Sequence, residues 1–162
     1  MNIILIEIGY FGPAILFLAI IYLTVRGMCN GDFKPPIAHA HDIYAYLFLW
    51  QALNYALNEI LKQLIQQPRP KDIAYINTWD SLKNIGPYGM PSGHAQQVVS
   101  EATYIALAFQ NPLATFASTC IAMLTVYQRY IYQKHTLMQL VVGSIIGAIT
   151  GSTFYIFLSH KK

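Results

Sequence analysis

Two histidines and three basic residues stand at the borders of apolar segments and have the residue types that phosphate chemistry uses. His94 follows Pro-Ser-Gly, and His135 precedes a long apolar run, six residues after Arg129. Lys62 and Arg69 are seven residues apart, which is two turns on one face if a helix continues that far. Arginine binds phosphate in a bidentate way, and histidine serves as a nucleophile or proton donor. The set predicts phosphoryl transfer.

Each of these residues has a simpler interpretation when it is taken alone. Lys62 and Arg69 fit flanking charges that reach the headgroups from the end of a membrane helix. Either histidine fits an interfacial side chain with a local hydrogen bond. Ser92 is a natural N-cap, so the helix after it, which includes Gly93, presents free N–H groups to an anion. The combination favours a phosphate site, and no Cys, His, Asp or Glu spacing predicts a metal site or another cofactor.

The composition indicates what kind of scaffold holds these residues. Of the 162 residues, 55% are hydrophobic and only 10% are charged, and the mean hydropathy is +0.39. Ordinary soluble domains carry about 25% charged residues. We therefore predict an all-α, polytopic membrane helix bundle, a single domain over residues 1–162. A net charge of +3 without a clustered basic face argues against a nucleic-acid partner.

Five segments are long and apolar enough to span a bilayer, which takes about 20 residues. They lie at about 3–25, 42–63, 92–110, 112–132 and 136–158. Five spans place the N-terminus, the loop at 64–91 and the segment 129–135 on one membrane face. The remaining Lys and Arg residues number three on that face and four on the other, which weakly favours a non-cytoplasmic site. They are Lys71, Lys83 and Lys134 against Arg26, Lys34, Lys161 and Lys162.

Three segments in order resemble the motifs of the type 2 phosphatidic acid phosphatase superfamily. KQLIQQPRP (62–70) resembles K-x6-R-P, and MPSGH (90–94) contains P-S-G-H. QRYIYQKHTLMQ (128–139) is similar to S-R-x5-H-x3-D, with Gln128 in place of Ser and Gln139 in place of Asp. The flanking residues resemble the dolichyldiphosphatase branch, where the position four after the histidine is itself Gln. Only Gln128 then departs from the pattern, and its amide N–H can still donate to a phosphate.

The resemblance implies a mechanism and a substrate. His135 attacks the terminal phosphorus to form a phosphohistidine, and His94 protonates the leaving oxygen. The groups that hold the phosphoryl oxygens are Lys62, Arg69, Arg129 and the N–H groups of Ser92 and Gly93. The implied substrate is a polyprenyl diphosphate such as dolichyl diphosphate, cleaved without a metal at the lumenal face of the endoplasmic reticulum membrane. Phosphatidate and undecaprenyl diphosphate are the alternative substrates within the superfamily.

Carboxylate and amide neighbours complete the expected site. Gln139 lies one turn from His135, so its Oε1 is expected to accept from Nδ1–H and leave Nε2 free to attack. On this basis Gln139→Asp should keep activity and Gln139→Leu should lower it. Glu59 is expected to pair with Lys62, three residues on. Glu101, two turns beyond His94, is a further candidate for closing the site.

A membrane structural or interaction protein with a weak site is the alternative from a different class. Gly143, Gly147 and Gly151 form GxxxGxxxG, a pattern typical of closely packed membrane helices. Packing inside one bundle is the favoured interpretation of this stripe. A homo-oligomer formed through the same glycines is the other.

Overall fold

The described part of the chain is helical. A computed structural model describes residues 3–30, 42–74 and 86–160. Within these ranges there are six α-helices, and the all-α prediction is confirmed. They are α1 (Ile3–Tyr10), α2 (Gly12–Asn30), α3 (Asp42–Ile65), α4 (Gly93–Phe109), α5 (Pro112–Ile131) and α6 (Leu137–Ser159).

The first predicted helix differs from the observed one in two respects. It is divided at Phe11 into α1 and α2, and it continues to Asn30 rather than ending near residue 25. Pro13 lies in the first turn of α2, where a missing N–H costs least, so a new helix starts here. The division allows α1 to lie against α5 while α2 packs on α4. The other four predicted helices agree with the observed ones to within a few residues.

Helix α4 is the centre of the bundle, and its closest neighbour is α6. A Cβ atom added at Gly143, Gly147 or Gly151 would come within 2.6, 2.3 and 2.3 Å of a backbone oxygen of α4 or its N-cap. Those oxygens belong to Ser92, Gln96 and Ser100. The glycine stripe is therefore used inside the bundle, as favoured. All three glycines are buried in the chain's own helix contact, and a homo-oligomer through them stays a prediction.

Aromatic rings join α3 to this central pair. The rings of Trp50 and Phe154 are stacked with centroids 4.5 Å apart, and Tyr104 lies 5.2 Å from Phe154. Leu16 and Ile20 of α2 close the same core from the other side of α4. These contacts fix α3 relative to α4 and α6, and all of the predicted site residues except Arg129, which lies in α5, are in or next to the ends of those three helices.

The outer surface of the bundle is apolar. Large side chains on α3 and α5 are exposed, among them Leu64 (75%), Leu113 (76%) and Phe116 (68%), which is typical of a surface that faces lipid rather than water. Two described helices, α2 and α6, are long and apolar enough to span a membrane by themselves. Judged by length and hydropathy, two of the five predicted spans are therefore found among the described helices. Helices α3, α4 and α5 do not qualify, because they carry more polar side chains or are shorter.

The charge count that favoured a non-cytoplasmic site is only partly covered by the structure. Lys34, Lys83, Lys161 and Lys162 lie outside the described residues. The orientation in the membrane therefore stays a prediction.

Candidate active site

The corner between α5 and α6 explains the spacing of Arg129 and His135. After the last turn of α5, Gln133 adopts a left-handed conformation with φ 51°, which reverses the chain. The backbone N–H of Lys134 then donates to the Arg129 carbonyl at 3.0 Å. Thr136 caps α6. His135 is therefore held in a tight turn beside Arg129, outside both helices.

The Pro-Ser-Gly-His segment starts α4 as the sequence predicts. Ser92 is the N-cap, and its Oγ accepts from the N–H of Ala95 at 3.5 Å. Its own N–H, however, donates to the Gln139 carbonyl at 3.1 Å, and Ser92 is fully buried. The prediction that this N–H holds a phosphoryl oxygen is therefore wrong, because the group already pins α4 to α6. Gly93, the next residue, reaches the site.

One cavity of about 340 Å³ gathers most of the predicted residues. Its lining contains six of the eight predicted site residues: Lys62, Arg69, Gly93, His94, Arg129 and His135. The other two, Ser92 and Gln139, are buried behind the cavity wall. Tertiary folding thus brings all three motif segments to one place, as their shared membrane face predicted.

Both nitrogens of the His135 ring have partners. Nδ1 lies 2.9 Å from the Gly89 carbonyl oxygen, which can only accept, so Nδ1 carries the proton. Nε2 lies 3.1 Å from Nη1 of Arg69, which can only donate, so Nε2 holds a lone pair. The ring is therefore the neutral tautomer with Nε2 available as a nucleophile once Arg69 moves from it.

The electrostatic surroundings keep this ring neutral. Burial, together with the positive charges of Arg69 and Arg129, lowers the pKa of His135 to about 3, while hydrogen bonding to Gly89 and Gln139 acts in the opposite direction. At neutral pH the unprotonated form is therefore the resting state. A phosphoryl acceptor needs this form.

Gln139 has a different main role from the one predicted. The principal acceptor of the Nδ1 proton is Gly89, not Gln139. The side-chain nitrogen of Gln139 donates to the Pro68 carbonyl at 2.9 Å and to Oε1 of Gln67 at 3.1 Å. Its Oε1 accepts from the Thr136 N–H at 3.1 Å and completes a capping box. Gln139 therefore straps the start of α6 to the segment that carries Arg69.

Gly89 is a functional residue that the sequence did not single out. Its N–H donates to the Gln67 carbonyl at 2.8 Å, so the segments around residues 68 and 88 run side by side. A Cβ at Gly89 would lie 2.6 Å from Oε1 of Gln139. A side chain at this position would displace the Gln139 amide from its hydrogen bonds, so glycine lets the carbonyl, this amide and the histidine meet. In the sequence it is the glycine before Met-Pro-Ser-Gly-His, within the stretch that resembles the dolichyldiphosphatase branch.

The cationic side chains have individual partners around the cavity. Nε of Arg69 donates to the Gly86 carbonyl at 3.0 Å, and its Nη1 donates to the Lys134 carbonyl at 3.0 Å. Arg129, only 3% exposed, lies 5.1 Å from the ring centre of Tyr10. The predicted pair of Lys62 and Glu59 is confirmed, with 2.6 Å between Nζ and Oε1.

A polar ladder between α3 and α4 supports the cavity wall. Nδ2 of Asn58 donates to Oε1 of Gln96 at 2.8 Å, and Nε2 of Gln96 donates to Oδ1 of Asn54 at 2.8 Å. All three side chains are buried. This ladder fixes the register of Lys62, one turn beyond Asn58, against the start of α4.

Two other candidates lie away from the cavity. The side-chain nitrogen of Gln128 donates to the Ile6 carbonyl in α1, so the amide that replaces the expected serine holds a helix and does not reach the site. Oε1 of Glu101 accepts from Gln51 at 2.8 Å, deeper in the bundle. The expectation that Glu101 helps to close the site is wrong, because Glu101 is fully buried away from the cavity lining.

Comparison with curated proteins finds lipid phosphatases. A dolichyldiphosphatase from Saccharomyces cerevisiae is 32% identical over 120 residues, which cover 65% of this chain and 47% of that protein. A lipid phosphate phosphatase gamma from Arabidopsis thaliana is 24% identical over 151 residues, which cover 86% of this chain and 64% of that protein. The chain thus spans about half the length of the first relative and less than two thirds of the second.

The fold also has a counterpart among solved structures. The crystal structure of a transmembrane PAP2 type phosphatidylglycerolphosphate phosphatase from Bacillus subtilis matches with a TM-score of 0.66 and 17% identity, covering 95% of this chain and 74% of that one. This likeness confirms the membrane helix bundle. The PAP2 superfamily model matches residues 43–162, which contain all three motifs and all but the first residue of the helices from α3 to α6. With that match over most of its length, this chain is an integral membrane protein of the PAP2 superfamily.

Proposed function

We propose that this chain is a lipid phosphatase that hydrolyses the terminal phosphate of a polyprenyl diphosphate through a phosphohistidine at His135. One observation carries the proposal. The lone pair of His135 Nε2 points into a cavity lined by the three motif cations, while Nδ1–H is held by Gly89. This arrangement is what an activated nucleophile beside a bound phosphate requires.

The first step forms the covalent intermediate. Phosphate oxygens draw the Arg69 guanidinium from Nε2, because a doubly charged phosphate accepts more strongly than a neutral ring nitrogen. Nε2 then attacks the terminal phosphorus, a N–P bond forms, and the bond from phosphorus to the bridging oxygen breaks. His94, which lines the same cavity, donates a proton to that leaving oxygen. The lipid monophosphate departs.

The second step regenerates the nucleophile. His94, now unprotonated, accepts a proton from a water molecule whose oxygen attacks the phosphorus. The N–P bond breaks, inorganic phosphate leaves, and His135 returns to its neutral form. Lys62, Arg69 and Arg129 stabilise the charge on the equatorial oxygens in both steps, and the N-terminus of α4 at Gly93 adds its partial positive charge.

The charge of the cavity supports a diphosphate. Four cationic side chains line it against one carboxylate among the described residues, an excess of three positive charges. A phosphate monoester carries a charge of about −1.5 to −2 at pH 7, and a second phosphate adds to it. The name of the yeast relative points to the same class of lipid. Phosphatidate, a monoester, is the substrate that this charge balance favours less.

We place the protein in the endoplasmic reticulum membrane with its cavity facing the lumen. Tyr10 lines the cavity and Cys29 lies at the far end of α2, so Cys29 marks the opposite membrane face. Cys29 is exposed. In sealed microsomes, with Cys120 changed to serine, an impermeant thiol reagent should label Cys29 from outside. Labelling only after permeabilisation would reverse the orientation.

The test of function is phosphate release by the purified chain from dolichyl diphosphate in detergent with EDTA present. We expect turnover, and we expect His135→Ala to abolish it while the unfolding temperature is retained. His160→Ala is the matched control, since His160 is exposed at the end of α6. No turnover by the parent chain on either the diphosphate or phosphatidate would favour a structural role. Turnover of phosphatidate alone would identify the alternative enzyme.

A further inference from the structure

Tyr10 brings an aromatic ring into the cavity from α1, a helix that lies outside the residues matched by the family model. It lines the cavity together with His94 and Arg129 and is only 4% exposed. The guanidinium carbon of Arg129 lies 5.1 Å from the centre of the Tyr10 ring. The centre of the His94 ring lies 6.2 Å from the same point, with 43° between the two ring planes. One ring therefore lies against both a motif cation and the proposed proton donor.

Gln128 holds α1 in this position. Its side-chain nitrogen donates to the carbonyl of Ile6, one helical turn before Tyr10. A Cβ atom added at Gly9 would come within 3.1 Å of Cδ of Gln128, so α1 lies directly on this side chain. Gln128 is fully buried and immediately precedes Arg129 in α5. The residue that stands in place of the expected serine therefore docks the helix whose last residue covers the neighbouring arginine.

We propose that Tyr10 is a positioning residue that orients Arg129 and His94 for phosphoryl transfer, and that Gln128 acts on the site by docking α1. This inference rests on the function proposed above. A guanidinium is attracted to an aromatic face, most strongly where both groups are shielded from water, as Arg129 (3% exposed) and Tyr10 are. The tilted ring contact restricts His94 in the same way. Groups that are oriented before the lipid binds need no reorganisation in the transition state, so the ring contributes to kcat.

The test measures phosphate release from dolichyl diphosphate by the full chain in detergent, with the unfolding temperature alongside. Tyr10→Leu should lower kcat by about 10- to 30-fold, the loss expected for a shielded cation–π contact. Tyr10→Phe keeps the ring and should stay within about threefold of the parent chain. KM and the inhibition constant of inorganic phosphate should change by less than about threefold, because Lys62 and Arg69 still bind the phosphate. Tyr22→Leu is the matched control, since Tyr22 is exposed on α2, and it should change none of these values.

The role of Gln128 is tested by a double-mutant cycle. Gln128→Leu removes the hydrogen bond to Ile6 and should lower kcat by as much as Tyr10→Leu does. Because both changes act through α1, the double variant should lose no more activity than the weaker of the two single variants. Losses that multiply in the double variant would overturn the docking role of Gln128.

Three results would overturn the role of Tyr10 and leave the proposed function standing. They are unchanged kcat in Tyr10→Leu, an equal loss in Tyr10→Phe and Tyr10→Leu, and a loss confined to KM with an equal rise in the inhibition constant of phosphate. The last result would indicate a disturbed cavity rather than misplaced side chains. If Tyr10→Leu does not fold, Tyr10→Met is subject to the same criteria. A parent chain that hydrolyses neither dolichyl diphosphate nor phosphatidate would instead overturn the proposed function.

Discussion

Replacing Gln139 by glutamate tests whether this residue works by donating or by accepting a hydrogen bond. Glutamate has the same shape and is favoured at the third position of a capping box, so the bond from the Thr136 N–H survives. The two donor bonds, to Pro68 and Gln67, are lost. A new negative charge would face two acceptors in a fully buried position. We therefore expect Gln139→Glu to be damaging although it is nearly isosteric.

The magnitude follows from the two lost bonds. Each is worth about 1 kcal/mol net, so their loss costs about 2 kcal/mol, and the unpaired buried acceptors add to that figure. If the displacement of Arg69 raises the activation free energy by the same amount, about 2 kcal/mol corresponds to a roughly 30-fold lower kcat/KM. The same reasoning reverses the expectation from sequence that Gln139→Asp keeps activity. Aspartate cannot donate these bonds and is also shorter.

The assay is phosphate release from the diphosphate lipid together with the unfolding temperature, for Gln139→Glu, Gln139→Asp and Gln139→Leu. A double-mutant cycle with Gln67→Leu should show a coupling energy of about 0.5–1.5 kcal/mol between the two amides. Full activity and stability in Gln139→Glu, with a loss of activity only in Gln139→Leu, would refute the role of these two donor hydrogen bonds. That result would restore Gln139 as the acceptor that orients His135.

Two further predictions concern stability. The pKa of His135 is about 3 in the folded state against 6.5 in the unfolded chain, so acid favours unfolding. The contribution of neutral His135 to the free energy of unfolding is fully present above about pH 6.5 and is lost as the pH falls towards 3. Between pH 7 and pH 5 the loss should be about 2 kcal/mol in detergent, and a His135→Asn variant with the same pH dependence would contradict it. Gly147→Ala places a Cβ 2.3 Å from the Gln96 carbonyl and should cost about 1–3 kcal/mol, whereas Ile149→Ala, at an exposed position, should cost much less. An unchanged unfolding temperature in Gly147→Ala would mean that α4 and α6 are not packed this closely.

The sequence by itself determined the class of the molecule and most of its chemistry. Apolar segments of membrane length predict helices, because a backbone in lipid must satisfy its own hydrogen bonds. The glycine stripe predicted close helix packing, and the i,i+3 spacing predicted the pair of Glu59 and Lys62, since both depend only on helix geometry. The three motifs likewise placed six residues in one cavity.

Only the tertiary structure decided the hydrogen-bond partners and the burial of the site residues. His135 Nδ1–H donates a hydrogen bond to the Gly89 carbonyl, 46 residues away in the chain. Every residue has a backbone carbonyl, so a sequence motif cannot show which one accepts this bond. The side-chain nitrogen of Gln139 donates hydrogen bonds to Pro68 and Gln67 because folding brings two acceptors opposite its amide. Lys134 becomes a buried cavity residue because of the left-handed turn at Gln133, whereas in sequence it resembles any lysine at a membrane border. Hydrogen bonds and burial depend on distances between segments remote in the chain, and those distances exist only once the helices have packed.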